Sequence, residues 1–262
     1  MGTDLRCSRF IFGTAGLFNV GTRRRRLALL HAAVHHGFTH FDTAPYYGFG
    51  QAERDLADVC RAHPAITVTS KVGIYSPGGE QQSYGSILLR KAAGRVVASV
   101  ARPSRDLDLR RARESLEATL RRLERERVEL YLLHEPVLDR LNLDEWRRWL
   151  EQCVTSGKIG AFGLAPATEH VESFLQAGAA LTPVLQVPDS LDRRETDLLR
   201  RHGREPQITY GYVSAARARG STSPIPDILR SALERNGSGA IIVSTGDPRR
   251  LAQYASIAER GG

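Results

Sequence analysis

Long apolar runs are missing from this 262-residue chain. No stretch approaches the ~18 consecutive apolar residues that a membrane-crossing helix needs. The opening MGTDLRCSRF has no apolar core of the kind a secretion signal carries. Arg6 stands where an N-myristoylation pattern requires Ser or Thr. These absences predict a cytoplasmic protein without a membrane partner. Cysteine is scarce: Cys7, Cys60 and Cys153 are odd in number and far apart, with no CxxC pair and no metal-ligand spacing. Reduced thiols and no metal site are the expectation. Lysine is nearly as scarce. Of 37 basic residues only Lys71, Lys91 and Lys158 are lysine, which leaves 34 arginines.

The formal charge is +8, but its carriers are dispersed. The clusters Arg23 to Arg26, Arg110 to Arg113 and Arg121 to Arg127 are interleaved with Leu, Ala and Glu. They read as solvated helix faces and not as a nucleic-acid surface. A basic exterior would help to attract a phosphorylated cofactor.

Short β-rich runs alternate with amphipathic stretches along the sequence. Strands are predicted near 8–14, 40–44, 66–72, 128–135, 159–165, 183–188, 207–213 and 240–245. Helices are predicted near 22–36, 51–63, 109–126, 143–156, 168–179, 193–202, 226–235 and 248–259. Eight of each in this length favour one (β/α)8 TIM barrel over residues 1–262, rather than an open doubly wound sheet. In the third helix Leu109, Ala112, Leu116, Leu120 and Leu123 form one apolar stripe, with Asp108 placed to cap its first turn. Between 73 and 108 the periodicity lapses. An insertion there would lie on the catalytic face, as a lid or substrate wall, with local disorder as the alternative.

Four polar residues fall at or just beyond the ends of strands two, three and four: Asp42 and Tyr47 in HFDTAPYYG, Lys71 in TVTSKVG and His134 in ELYLLHEP. In a barrel these ends converge on one mouth. A tyrosine phenol, with a reference pKa of ~10, exchanges protons poorly at neutral pH. A neighbouring ammonium would lower that pKa, and a carboxylate would keep the ammonium charged. Lysine, a compact charge, suits this place better than arginine.

The segment FDTAPYYGFGQAERDLA, with SKVG and YLLHEP following in order, resembles the aldo-keto reductase superfamily and its bacterial aldose dehydrogenase-like members. The resemblance implies hydride transfer between a nicotinamide cofactor and a carbonyl or alcohol carbon of an aldehyde, ketone or sugar. Tyr47 would donate or accept the proton, Lys71 and Asp42 would tune it, and His134 would orient the substrate oxygen. Gly13 and Thr14 in FGTAGLF would run beside the cofactor, Gln186 would hold the carboxamide, and Tyr210 would stack on the nicotinamide. Thr245 and Arg250 in VSTGDPRRLAQYA would meet the adenosine phosphate, with NADPH expected and NADH as the alternative.

Ala165 and Pro166 depart from the family's Ser-Asn pair, whose side chains grip the carboxamide. The losses are on the order of 1 kcal/mol each. The N-terminal hairpin is expected to shrink to residues 5–10 and the C-terminal substrate loop to be absent. A short loop is expected after strand seven. Together these predict an open pocket for a small carbonyl or sugar substrate, or for a large or carrier-bound one. Two other readings keep the barrel: an acid–base lyase or dehydratase without redox chemistry, and a non-catalytic binding module.

Overall fold

Phe12 pairs with Phe41 on one side and Val243 on the other, and this double pairing closes the sheet on itself. A computed structural model describes residues 5–82, 85–87, 89, 103–177 and 181–260. Its first half contains β1 (Phe10–Gly13), α1 (Arg23–His35), β2 (His40–Asp42), α2 (Gln51–Ala62), β3 (Thr67–Val72), β4 (Ile74–Tyr75), β5 (Ser104–Arg105) and α3 (Leu109–Leu123). There follow β6 (Val128–His134), α4 (Leu143–Thr155), β7 (Ile159–Ala165), α5 (Val171–Gln176), β8 (Val184–Pro188) and α6 (Asp197–Arg201). The last elements are β9 (Ile208–Tyr210), α7 (Tyr212–Ala218), α8 (Ile225–Asn236), β10 (Ala240–Val243) and α9 (Arg249–Arg260). Eight parallel strands close in the order β1-β10-β9-β8-β7-β6-β3-β2, while β4 and β5 form a separate antiparallel pair. This is the expected (β/α)8 barrel.

Side chains alternate across each strand, so two cores form. The larger lies between strands and helices and includes Phe41, Leu56, Leu116, Trp146 and Leu229. The smaller holds Ile11, Leu130, Leu132, Val184, Ile208 and Ala240, which fill the barrel's interior. Two positions further along the same strands lie Gly13, His134, Gln186, Tyr210 and Ile242. The strand period therefore sets the candidate residues on top of the inner core. Gly163 is required beside it, because a Cβ there would overlap the Val184 carbonyl of the next strand.

Several sequence expectations change. Strand seven ends at Tyr210, and Gly211, at φ +99°, turns the chain into α7 where a short loop was expected. The fifth predicted helix is a 3-10 turn at Thr168–His170 followed by Val171–Gln176; its expected end at 178–179 lies outside the described residues. Much of the 73–108 insertion, residues 83–84, 88 and 90–102, also lies outside them. Its described ends form the β4–β5 pair, which two-residue strands carry too little periodicity to announce. Residues 5–8 carry no strand; Leu5 and Cys7 pack instead against the inner core.

The solvated reading of the arginine clusters fails at two positions. Arg26 is 1% exposed and pairs with buried Asp55 at 2.5 Å, and Arg122 pairs with buried Glu53 at 2.6 Å. Two carboxylates on α2 are drawn into the barrel wall, and ions removed from water require partners. Glu53 also accepts from Ser70 Oγ at 2.8 Å, which ties α2 to β3 beside Lys71.

Candidate active site

Lys71 is fully buried at the upper end of β3, and its ammonium meets four oxygens. It donates to both carboxylate oxygens of Asp42 at 2.6 and 2.7 Å, to the Thr43 carbonyl at 3.0 Å and to the Tyr47 phenol oxygen at 3.4 Å. Burial pushes the Asp42 carboxyl up and the Lys71 ammonium down, and in each case the partner's charge opposes the shift. The hydrogen-bonded ion pair is how two such groups share a dry place.

Tyr47 lies in the loop after β2. Its phenol is driven well above its ordinary pKa, first by burial and then by the Asp42 carboxylate. This reverses the expectation that the neighbouring ammonium would lower it. Desolvation of the phenolate outweighs a lysine already committed to Asp42, so the phenol stays protonated. His134, at the end of β6, is held well below the usual histidine range by burial and by the charges of Lys71 and Arg105. Its imidazole is neutral. Tyr46 wedges against both, its ring centre 4.8 Å from that of Tyr47 and 5.4 Å from that of His134.

These groups line a cavity of about 460 Å³ whose walls include Gly13, Asp42, Tyr46, Tyr47, His134, Glu135, Gln186 and Tyr210. A second cleft of about 540 Å³ shares Gly13, Ser244 and Arg250 with it and continues past Asn19, Thr245 and Gly246. Gly13 floors both because a Cβ there would come within 2.7 Å of Ile242 Cγ2 and Ser244 Oγ. Together the cavities offer an elongated cofactor a path from Gln186 to Arg250.

Gln186 gives the clearest sign that a polar ligand belongs here. It is buried in the cavity wall, its side chain is hydrogen-bonded to Asp42, and its Oε1 has no hydrogen-bond partner. An unpaired buried acceptor costs about 1–3 kcal/mol, which the N–H of a bound amide would recover. The residues present therefore fit a carboxamide-bearing cofactor. Ala165 forms part of the same wall, and its carbonyl accepts the Glu135 N–H at 2.9 Å. No Ala165 side-chain polar atom assists Gln186, as the sequence indicates.

Tyr210 lies in the cavity wall, where burial lifts its phenol to about 12. Thr245 and Arg250 line the second cleft, with Thr245 Oγ1 already accepting the Asp247 N–H at 3.0 Å. Thr14 is placed differently from the expectation. Its hydroxyl turns inward and donates to the Asp42 carbonyl at 3.0 Å, so it holds β1 against β2 instead of facing the cavity. The sequence reading did not single out Tyr46, Glu135 or Tyr212. Tyr46 and Glu135 each adjoin a named residue, and Tyr212 reaches the wall only because of the unforeseen α7.

Comparisons with known proteins bear on the fold and the family. The chain is similar over 156 residues to the 6-dehydroglucose reductase of Agrobacterium fabrum, at 29% identity, covering 57% of this chain and 46% of that protein. It spans less than half the length of the curated relatives it matches. The structure of PA4992 from Pseudomonas aeruginosa superposes with a TM-score of 0.73 at 24% identity, over 100% of this chain and 94% of that one. An aldo-keto reductase from Klebsiella pneumoniae, solved in complex with NADPH, shares the fold with a TM-score of 0.63 at 18% identity, over 96% and 85% of the two chains. The aldo/keto reductase family model matches residues 9–208, a span that contains the barrel strands bearing Asp42, Lys71, His134 and Gln186 as well as the Tyr47 loop; the chain belongs to that family.

Proposed function

We propose that this protein is an NAD(P)(H)-dependent oxidoreductase acting on the carbonyl or alcohol carbon of a small aldehyde, ketone or sugar. One observation carries the reading: Asp42, Tyr47 and His134, the first two bonded to buried Lys71, share a cavity with the unpaired amide oxygen of Gln186. A bound nicotinamide supplies or accepts the hydride. In reduction, Tyr47 gives its phenolic proton to the substrate oxygen as negative charge develops there, and in oxidation it takes that proton back. Lys71, anchored by Asp42, stabilises the phenolate while it exists. Neutral His134 donates a hydrogen bond to the same oxygen, and such preorganised donors act most strongly where water is excluded.

Gln186 and Tyr210 hold the nicotinamide end and Arg250 the phosphate end, with NADPH preferred. The NADPH-bound Klebsiella relative supports that preference, and the Agrobacterium relative's name supports a sugar-derived carbonyl substrate. The cavity's size favours a free small molecule over a carrier-bound one. No helix among the described residues is long and apolar enough to cross a membrane, and a cytoplasmic setting is part of this proposal. Calorimetric titration with NADPH and with NADH tests the reading. Micromolar binding of either is expected, followed by aldehyde-dependent oxidation of the reduced cofactor. A folded sample that binds neither would end it.

A further inference from the structure

Three features meet at Glu135 that the proton chemistry leaves unused. First, its φ is +48°, in the left-handed region that residues other than glycine seldom enter and that proteins tend to retain at functional sites. Its N–H bond to the Ala165 carbonyl fixes that turn directly after His134. Second, Glu135 belongs to the cavity wall and forms an ion pair with Arg105, on β5 of the inserted hairpin. Third, its charge reaches into the cavity: after burial, it is the next cause holding the Tyr46 and Tyr210 phenols up.

The pair's chemistry points to its ligand. An ionised carboxylate only accepts hydrogen bonds and a guanidinium only donates them. With Glu135 in the cavity wall and Arg105 paired to it, they offer both halves of what a hydroxyl group needs. The Tyr46 and Tyr212 rings in the same wall provide flat apolar faces for the C–H surface of a carbon chain or ring. Arg105 is 66% exposed, so the pair itself contributes little to stability. A left-handed residue held for that contact alone would be poorly repaid. Resting on the oxidoreductase reading, we propose that Glu135 and Arg105 form a hydroxyl-binding subsite that selects polyhydroxylated substrates over plain aldehydes and alcohols.

The test separates this subsite from the reaction. Ligand-observed NMR on the full chain with NADP+ compares xylitol with 1-pentanol, and the same titrations are run on Glu135→Gln and Arg105→Ala. The wild-type protein should prefer xylitol. Each variant should weaken xylitol binding about fivefold or more relative to 1-pentanol. No xylitol preference in the wild type, or equal loss of both alcohols in the variants, overturns the subsite. Turnover of D-glyceraldehyde and propanal with NADPH forms the second arm. Turnover of both with equal kcat/KM overturns the subsite and leaves the oxidoreductase reading standing. Turnover of neither, with the xylitol preference intact, overturns that reading and supports the subsite.

Discussion

Lys71 Nζ bridges Asp42 and Tyr47: it lies 2.6 and 2.7 Å from the two carboxylate oxygens and 3.4 Å from the phenol oxygen. All three side chains are buried, so the bridge proposed to serve catalysis is also a structural one. Replacing Lys71 by Met should destabilise the fold by about 3–5 kcal/mol, because it strands the Asp42 carboxylate without its counter-charge. Adding Asp42→Asn should recover part of that loss. Urea denaturation of the single and double variants measures the coupling, and strictly additive losses would contradict it.

The same geometry sets a pH profile. Tyr47 is raised well above its usual pKa and His134 lies well below its own, so neither changes state in the neutral range. With saturating cofactor, kcat/KM for carbonyl reduction should show no break near about pH 6.5 or about pH 10, where unperturbed histidine and tyrosine would titrate. A break near pH 6.5 that disappears in His134→Gln would show the imidazole to be ordinary.

Gln186 should matter more to the ligand than to the apo fold. Its Oε1 is unpaired before a ligand arrives, while its bond to Asp42 already exists. Gln186→Leu is expected to lower the melting temperature of the apo protein by several degrees through loss of that bond. It should weaken NADPH by about tenfold or more. Calorimetry and thermal melts on one preparation report both, and unchanged affinity would remove Gln186 from the site.

Lower on β2, His40 is buried between Thr67 Oγ1 at 2.6 Å and Thr69 Oγ1 at 2.7 Å, and burial lowers its pKa to about 3. In the unfolded chain it titrates near 6.5. As pH falls below that value, the unfolded state binds a proton that the folded state refuses, and stability drops by up to about 1.4 kcal/mol per pH unit until about pH 3. The imidazole signals of His40 in NMR spectra should keep their neutral shifts down to pH 5. Titration near pH 6.5 in the folded protein would refute this.

Much of the barrel was legible because each strand of a closed parallel sheet sits between an apolar interior and a helical layer, and that burial leaves a readable run. Asp42, Lys71 and His134 were legible for the same reason, since each ends such a run. What escaped was set by contacts distant in sequence. Arg26 and Arg122 look like surface charge until Asp55 and Glu53 are seen to be buried opposite them. Thr14 follows Gly13 in sequence, but alternation turns one to the cavity and the other to the Asp42 carbonyl. The direction of the Tyr47 shift also depended on depth of burial, which no residue pattern states.

Gly73 joins the inserted hairpin to the barrel. It sits at φ +114°, where an added Cβ would come within 2.9 Å of Leu107 Cδ2 and 3.3 Å of the His134 carbonyl, and its own carbonyl accepts the Asp106 N–H at 2.9 Å. The polypeptide leaves and returns at this one glycine, within touching distance of His134. A hairpin of different length or composition could be grafted between Gly73 and Asp106 without moving Lys71 or His134. Arg105 would be exchanged along with it, so choice of substrate could drift through loop replacement while the proton-handling machinery is inherited intact.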